Sequence, residues 1–187
     1  MEKETQIKVT NVVATGHLHR EVDTEKVAKD ANFAETSFNE RQSAVVFRFG
    51  DYDGVLILYT SGMYMFKGVN SQKTLQDLHD MFIHGITELG LDYSGEKKLE
   101  IKNVVCTGNT KKDIFLEDLR SKLPGNTEYE PEQFPAVVYR PNEGESTFLI
   151  FSLLVQNLRS RAGTYQRISQ KSSHSTVIFI TFSERYS

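Results

Sequence analysis

A single cysteine, Cys106, stands among the 187 residues, so no internal disulfide is available. It lies in the apolar stretch Asn-Val-Val-Cys-Thr-Gly, where a buried small hydrophobe is expected in place of a nucleophile. No apolar run approaches the roughly 18 residues that a membrane span needs, and charge begins at the second residue, Glu2. A soluble, cytoplasmic chain without a membrane partner is expected. Positive charge is scarce as well: 22 Lys and Arg against 25 Asp and Glu give a net charge of -3. That balance argues against a protein that holds nucleic acid by blanket phosphate neutralisation, and leaves shape, apolar surface or a local patch as the means.

The marks of catalysis are missing too. There is no Ser-His-Asp order, no G-x-G-x-x-G, no P-loop and no C-x-x-C. His17 and His19 form an H-x-H pair without a third and fourth ligand nearby, which does not make a metal site. Asp51 and Asp53 flank a tyrosine in a glycine-bounded turn, and turn chemistry accounts for them. The five histidines do not cluster: His79 and His84 fall on one long helix, facing solvent or its neighbour, and His17, His19 and His174 lie elsewhere. The expectation is a non-enzyme.

What the sequence does contain is a repeat. Asn11 to Gly16 reads NVVATG and Asn103 to Gly108 reads NVVCTG, 92 residues later. At that spacing Ala44 to Arg48 (AVVFR) matches Ala136 to Arg140 (AVVYR), and Ile57, Leu58 and Tyr59 fall on Leu149, Ile150 and Phe151. Matches at one spacing without a gap make the chain two copies of one unit, residues 1–97 and 98–187. At roughly 90 residues each copy is large enough to bury a core.

In the first copy Ile7, Val9, Asn11 and Val13 alternate with Lys8, Thr10 and Val12, the period of a strand. A short helix is predicted from Thr24 to Asp30, capped by Asp23 or Thr24. Three strands follow, Ser43 to Phe49, Gly54 to Tyr59 and Met63 to Lys67, separated by turn signals. From the capping residue Ser71 to Leu89 the apolar positions Leu75, Leu78, Phe82, Ile83 and Ile86 mark a long amphipathic helix ending at Gly90. The unit is an antiparallel meander with helices on one face. Its strands are nevertheless apolar on both sides (AVVFRF, VLILY, MYMF, and AVVYR and TFLIF in the second copy), which predicts a partner for the uncovered face. Burial of both faces in an ordinary core is the other reading.

Glu128 to Pro141, EYEPEQFPAVVYRP, resembles almost residue for residue the stretch that introduces the second repeat of archaeal TATA-box-binding proteins. IKVTNVVATG and IKNVVCTG resemble the first strands of the two repeats, and LYTSG resembles the family's LIFSSGK turn. The resemblance covers residues 6 to 152. It implies an α+β fold, a pseudo-twofold saddle whose curved antiparallel sheet comes from two repeats with helices on the convex face. It also implies a general transcription initiation factor, nucleoid-associated in an archaeon, that binds the minor groove of A·T-rich promoter DNA and bends it. Its partners would be double-stranded promoter DNA, transcription factor B and, indirectly, RNA polymerase; no cofactor is implied.

Carried over residue by residue, Asn11 and Asn103 would donate hydrogen bonds to adenine N3 or thymine O2, with Val13 and Val105 beside them. Arg48 and Arg140 would reach phosphates; Ser61, in the LYTSG turn, and Leu149 complete the DNA-facing set. Phe134 and Phe151 occupy the two wedge positions of the second repeat, which in the first fall on Gln42 and Tyr59. Glu130, Glu132 and Gln133 belong to the loop that docks transcription factor B. Met63, Lys67 and Asn70 depart from the family at positions that read lysine, threonine and lysine. After residue 152 the pattern is lost, and STVIFITFS is strand-like where a helix is due. The alternative is a divergent paralog that keeps its protein partners and binds DNA weakly or not at all.

Overall fold

The computed structural model describes residues 6–91, 99–110, 114–123, 125–141, 146–153 and 175–183. The fold is α+β, with ten antiparallel-sheet strands and three α-helices among the described residues. Packing separates two units, one around Val9–Val105 and the other around Cys106–Thr181. No helix among the described residues is long and apolar enough to cross a membrane.

In the first unit, strand β1 (Gln6–His17) leads into helix α1 (Thr24–Asp30). Asp23 is its N-cap, its carboxylate accepting from the Lys26 amide at 3.0 Å; this choice between Asp23 and Thr24 follows from Thr24 being buried with its hydroxyl donating to the Ser43 carbonyl. Strands β2 (Glu35–Asn39), β3 (Ala44–Arg48), β4 (Val55–Tyr59) and β5 (Met63–Val69) follow, then helix α2 (Gln72–Glu88). Ser71 caps α2, its hydroxyl accepting from the Thr74 amide at 3.0 Å. The strand order is β2-β3-β4-β5-β1. Strand β2 is an addition to the expected elements: Glu-Thr-Ser-Phe-Asn holds one large apolar residue and gives almost no alternation to read.

Register divides the first sheet into two faces. On one, Thr36, Phe47, Leu56, Phe66 and Ala14 run in a line across the strands, beside a second line of Phe38, Val45, Leu58, Tyr64 and Gly16. Phe38 at the edge is exposed, but the central residues pack against the helices, with Phe47 and Tyr64 both touching Phe82 of α2, at ring-centroid distances of 5.7 and 4.9 Å. The two helix histidines divide here. His84 is solvent-facing beside Glu88, whereas His79 is buried against the neighbouring strand β5 and bonded to the Tyr64 hydroxyl at 2.9 Å. On the other face Ser37, Val46, Ile57, Met65 and Thr15 form a line of their own. Val46, Ile57 and Met65 are only half-buried, and no helix of this unit covers them. The second apolar face anticipated from the strand composition is therefore present.

The second repeat holds strand β6 (Glu100–Asn109), helix α3 (Leu116–Lys122) and strands β7 (Thr127–Glu128), β8 (Val137–Tyr139), β9 (Ser146–Leu153) and β10 (Ser175–Ser183). Its small core joins Leu116 of α3 to Val137 and Ile150, with Tyr129 and Phe148 at the margin. Cys106 is buried, as its apolar neighbours required. The strand order is β7-β8-β9-β10-β6. Strand for strand this matches the first unit, and β10 takes the place that β5 holds there. The β-branched segment that breaks the family pattern thus enters the sheet as its fifth strand; His174 lies outside the described residues.

One contact tests the first core. A Cβ added at Gly85 in α2 would lie 2.3 Å from the Phe33 ring, which stacks on Phe47 at 5.5 Å. Gly85→Ala gains helix propensity of up to about 1 kcal/mol yet overpacks a filled core, which typically costs about 1–3 kcal/mol. A net destabilisation, read as a lowered midpoint in urea, is expected. Combining it with Phe33→Leu should recover part of the loss, and a stabilised single variant would show that the ring can move aside.

Candidate nucleic-acid interface

The expected DNA-facing residues of the first repeat come together on the uncovered face. Asn11, Val13 and Thr15 of β1 are half-buried and alternate with the buried Val12 and Ala14. Val46 and Ile57 continue the surface, Tyr59 ends β4, and Arg48 stands exposed at the end of β3 opposite Glu35. Lys67, which the sequence places as a charge on this face, is indeed exposed there and paired in register with Val55. Met63 pairs with His17. Asn70 donates to Asp53 at 2.8 Å, so where the family has a lysine this chain ties a neutral amide to a carboxylate. Ser61 accepts from the Met63 amide at 3.3 Å and borders a shallow depression with Glu21 and Asp23, carboxylates that oppose a phosphate.

Between Val12 and Ala14 the pairing with β5 slips by one residue. Lys67 and Gly68 together stand opposite the single Val13, a β-bulge. Gly68 has φ +77, and a Cβ on it would sit 3.3 Å from the Gly54 Cα, so the bulge needs glycine twice over. Its amide donates to Asn11 Oδ1 at 2.8 Å. Residues 11 and 68 are far apart in sequence, and no local pattern could have joined them.

The turn before β3 explains the first wedge position. Glu40–Gln42 is a single 3-10 turn, and Gln42 is exposed, its amide donating to Asn39 Oδ1 while its side chain accepts from Asn39 Nδ2. Ser43 follows at φ +47. The corresponding residue of the second repeat is Pro135, whose ring holds φ near about -65° and forbids that conformation. The two turns therefore differ in backbone as well as in side chain.

In the second repeat Phe134 and Phe151 meet edge to face, with ring centroids 5.6 Å apart and planes at 76°. Val138 and Leu149 pair beside them, both half-buried, on the face opposite Val137 and Ile150. Asn103 and Val105 of β6 are likewise half-buried and alternate with the buried Cys106 and Gly108. Arg140 donates to Glu128 at 2.9 Å and remains 41% exposed at its side chain, so its guanidinium is shared with a carboxylate instead of standing alone. Glu130, Glu132 and Gln133 lie on an exposed turn closed by the Gln133 and Phe134 amides, both donating to the Glu130 carbonyl at 2.9 Å. Gln133 also bonds Glu130 through its side chain.

The family model described as transcription factor TFIID (or TATA-binding protein, TBP) matches residues 6–89 and 98–153. The chain belongs to the TATA-box-binding protein family. It is 30% identical over 146 residues to TATA-box-binding protein D of Halobacterium salinarum, covering 78% of each chain. To the TATA-box-binding protein of Thermococcus sibiricus it is 28% identical over 148 residues, covering 79% of this chain and 78% of that one. Among solved structures it resembles Methanococcus jannaschii TBP, with a TM-score of 0.62, 26% identity and coverage of 93% of this chain and 87% of that one. The family match ends at residue 153, before β10, where the sequence pattern lapses.

No group of three or more metal-ligating side chains occurs among the described residues. The His17 and His19 rings contact each other at 4.9 Å, and His17 Nδ1 accepts from the His19 amide, which occupies one ring nitrogen with backbone.

Tyr129, beside the acidic turn, reports on its packing. Burial raises its pKa above 10.0, and the charge and hydrogen bond of Glu117, 3.4 Å from its hydroxyl, raise it further. A raised folded-state value contributes stability that is full below the unfolded pKa and is lost as pH climbs through the folded one. Glu117→Gln should move the Tyr129 tyrosinate absorbance to lower pH while leaving it above the ordinary value, because burial persists. An unmoved titration would show that Glu117 does not reach the hydroxyl in solution.

Proposed function

We propose that this chain is a promoter-recognition factor that binds the minor groove of A·T-rich DNA with the sheet faces opposite the cores of its two repeats, bends it and recruits transcription factor B, and through it RNA polymerase. The observation that carries this reading is the Phe134–Phe151 ring pair, set beside the half-buried Val138 and Leu149 on the face opposite Val137 and Ile150. An apolar wedge of that kind unstacks a base step, and TATA-box-binding proteins are themselves the type example of its cost, about a few kcal/mol per step. Val13, Val105, Val46 and Ile57 supply apolar contact that excludes the guanine amino group. Asn11 and Asn103 donate to groove-edge acceptors, Arg48 and Arg140 reach phosphates, and Tyr59 and Ser61 contribute at the first repeat. Glu130, Glu132 and Gln133 offer a basic partner an acidic, exposed turn. The repeats divide near residue 97, no catalytic step is involved, and the protein works in the cytoplasm at the nucleoid.

The absence of an aromatic at Gln42 makes the two ends unequal. A purified chain mixed with a duplex carrying fluorophores at both ends should raise energy transfer, and transcription factor B should strengthen the complex. Phe134→Ala with Phe151→Ala is expected to abolish most of the bend and weaken binding by about tenfold or more, each factor of ten corresponding to about 1.4 kcal/mol. Gln42→Ala should change neither by more than about twofold, the range of surface substitutions. A folded chain that binds no duplex even with transcription factor B present would sink promoter recognition and leave a protein-interaction factor.

A further inference from the structure

A side-chain amide has two arms of opposite character, a carbonyl that accepts and an NH2 that donates. A backbone N–H can only donate. The 2.8 Å contact from the Gly68 amide therefore identifies the facing atom of Asn11 as Oδ1 and turns that carbonyl toward β5. The Nδ2 arm is the one not engaged by Gly68. We infer that the β5 bulge fixes the orientation of the Asn11 amide, with Oδ1 turned to β5 and the NH2 arm left as its reading group, and that Gly68 is the positioning residue that gives it A·T selectivity. The inference rests on the proposed DNA reading and adds to it the origin of discrimination at this position.

The groove chemistry follows directly. A·T and T·A pairs present only the acceptors adenine N3 and thymine O2 in the minor groove, whereas a G·C pair adds the guanine N2 amino donor. An asparagine free to turn would accommodate both, donating to the former and accepting from the latter through Oδ1. With Oδ1 held by the bulge, the guanine amino group meets a donor and goes unpaired, which is costly in a desolvated interface. Gly68 cannot be replaced to the same effect by an ordinary side chain. At φ +77, with Gly54 behind it, any Cβ strains the bulge itself.

The experiment replaces the Gly68 amide by an ester, inserting glycolic acid at position 68, which removes the N–H and keeps the shape. Duplexes carry one G·C or one inosine·C pair at each position of an A·T-rich site in turn; inosine lacks the amino group. With the unmodified chain, the excess cost of G·C over inosine·C should reach about tenfold to a hundredfold at the position read by Asn11, the range typical of one wrong pair. That position is identified as the one where Asn11→Ala flattens the profile. The ester chain should lose most of this excess while retaining its binding to the all-A·T duplex within a fewfold. Without DNA, hydrogen exchange at the Gly68 amide should speed up in Asn11→Ala, with Val69 unaffected. Normal binding by the ester chain with undiminished discrimination, or Gly68 exchange indifferent to Asn11→Ala, overturns this inference alone. A folded, unmodified chain that binds no duplex overturns the promoter reading and this inference with it.

Discussion

The contact of Phe82 with Phe47 and Tyr64 settles which side of the first sheet is occupied. Because side chains alternate across a strand, burying Phe47, Leu56, Leu58, Tyr64 and Phe66 beneath the helices forces Val46, Ile57, Tyr59 and Met65 to the other side. The same parity holds Asn11 and Val13 away from Val12 and Ala14. Nothing has to select these residues for exposure individually; one helix packing on one face does so for all of them. The second repeat reaches a similar result with a smaller core, Leu116 against Val137 and Ile150, which leaves Val138, Leu149 and Phe151 on the opposite face. A surface made in this way is backed by the packed core behind it, which suits the proposed reading in which the DNA is the partner that deforms.

Much of this was legible because it is local. Alternation marked β1, turn signals bounded β3 to β5, and the capping residues at Asp23 or Thr24 and at Ser71 announced the two helices of the first repeat, since caps act through the nearest few amides. The repeat spacing then carried the matched positions of the first copy onto the second, and the family resemblance set Phe134 and Phe151 at its two wedge positions. Polar β2 escaped because an edge strand of Glu-Thr-Ser-Phe-Asn buries little and so shows no period. The Asn11–Gly68 and Arg140–Glu128 contacts escaped for a different reason: they join strands whose register is fixed by a bulge or by a two-residue edge strand, and register is a property of the assembled sheet. STVIFITFS read correctly as a strand. Its place as the fifth strand of the second unit did not follow, because the segment that would have aligned it no longer resembles its counterpart.

Duplication also shows where the halves have parted. Position 92 residues on from Ser43 is Pro135, and a left-handed serine and a φ-locked proline cannot share a turn. The change from phenylalanine to glutamine at the preceding position therefore accompanies a different backbone, in which Asn39 and Gln42 satisfy each other. Restoring an aromatic at position 42 would not by itself rebuild the pair seen between Phe134 and Phe151, because the ring would leave from a differently turned chain.

Charge points the same way as shape. The chain carries a net charge of -3, Arg140 is already shared with Glu128, and Arg48 lies opposite Glu35 in register. The exposed Arg140–Glu128 pair is weak, on the order of 0–1 kcal/mol, so a phosphate can displace the carboxylate. What the phosphate gains is nonetheless reduced by what the carboxylate gives up. Affinity in the proposed complex then has to come from apolar surface, from the aromatic pair and from the donor at Asn11, all of which respond to the groove and its deformability instead of to the bare density of charge. With a net charge of -3, the proposed complex leans on that fit to the groove more than on counterion release.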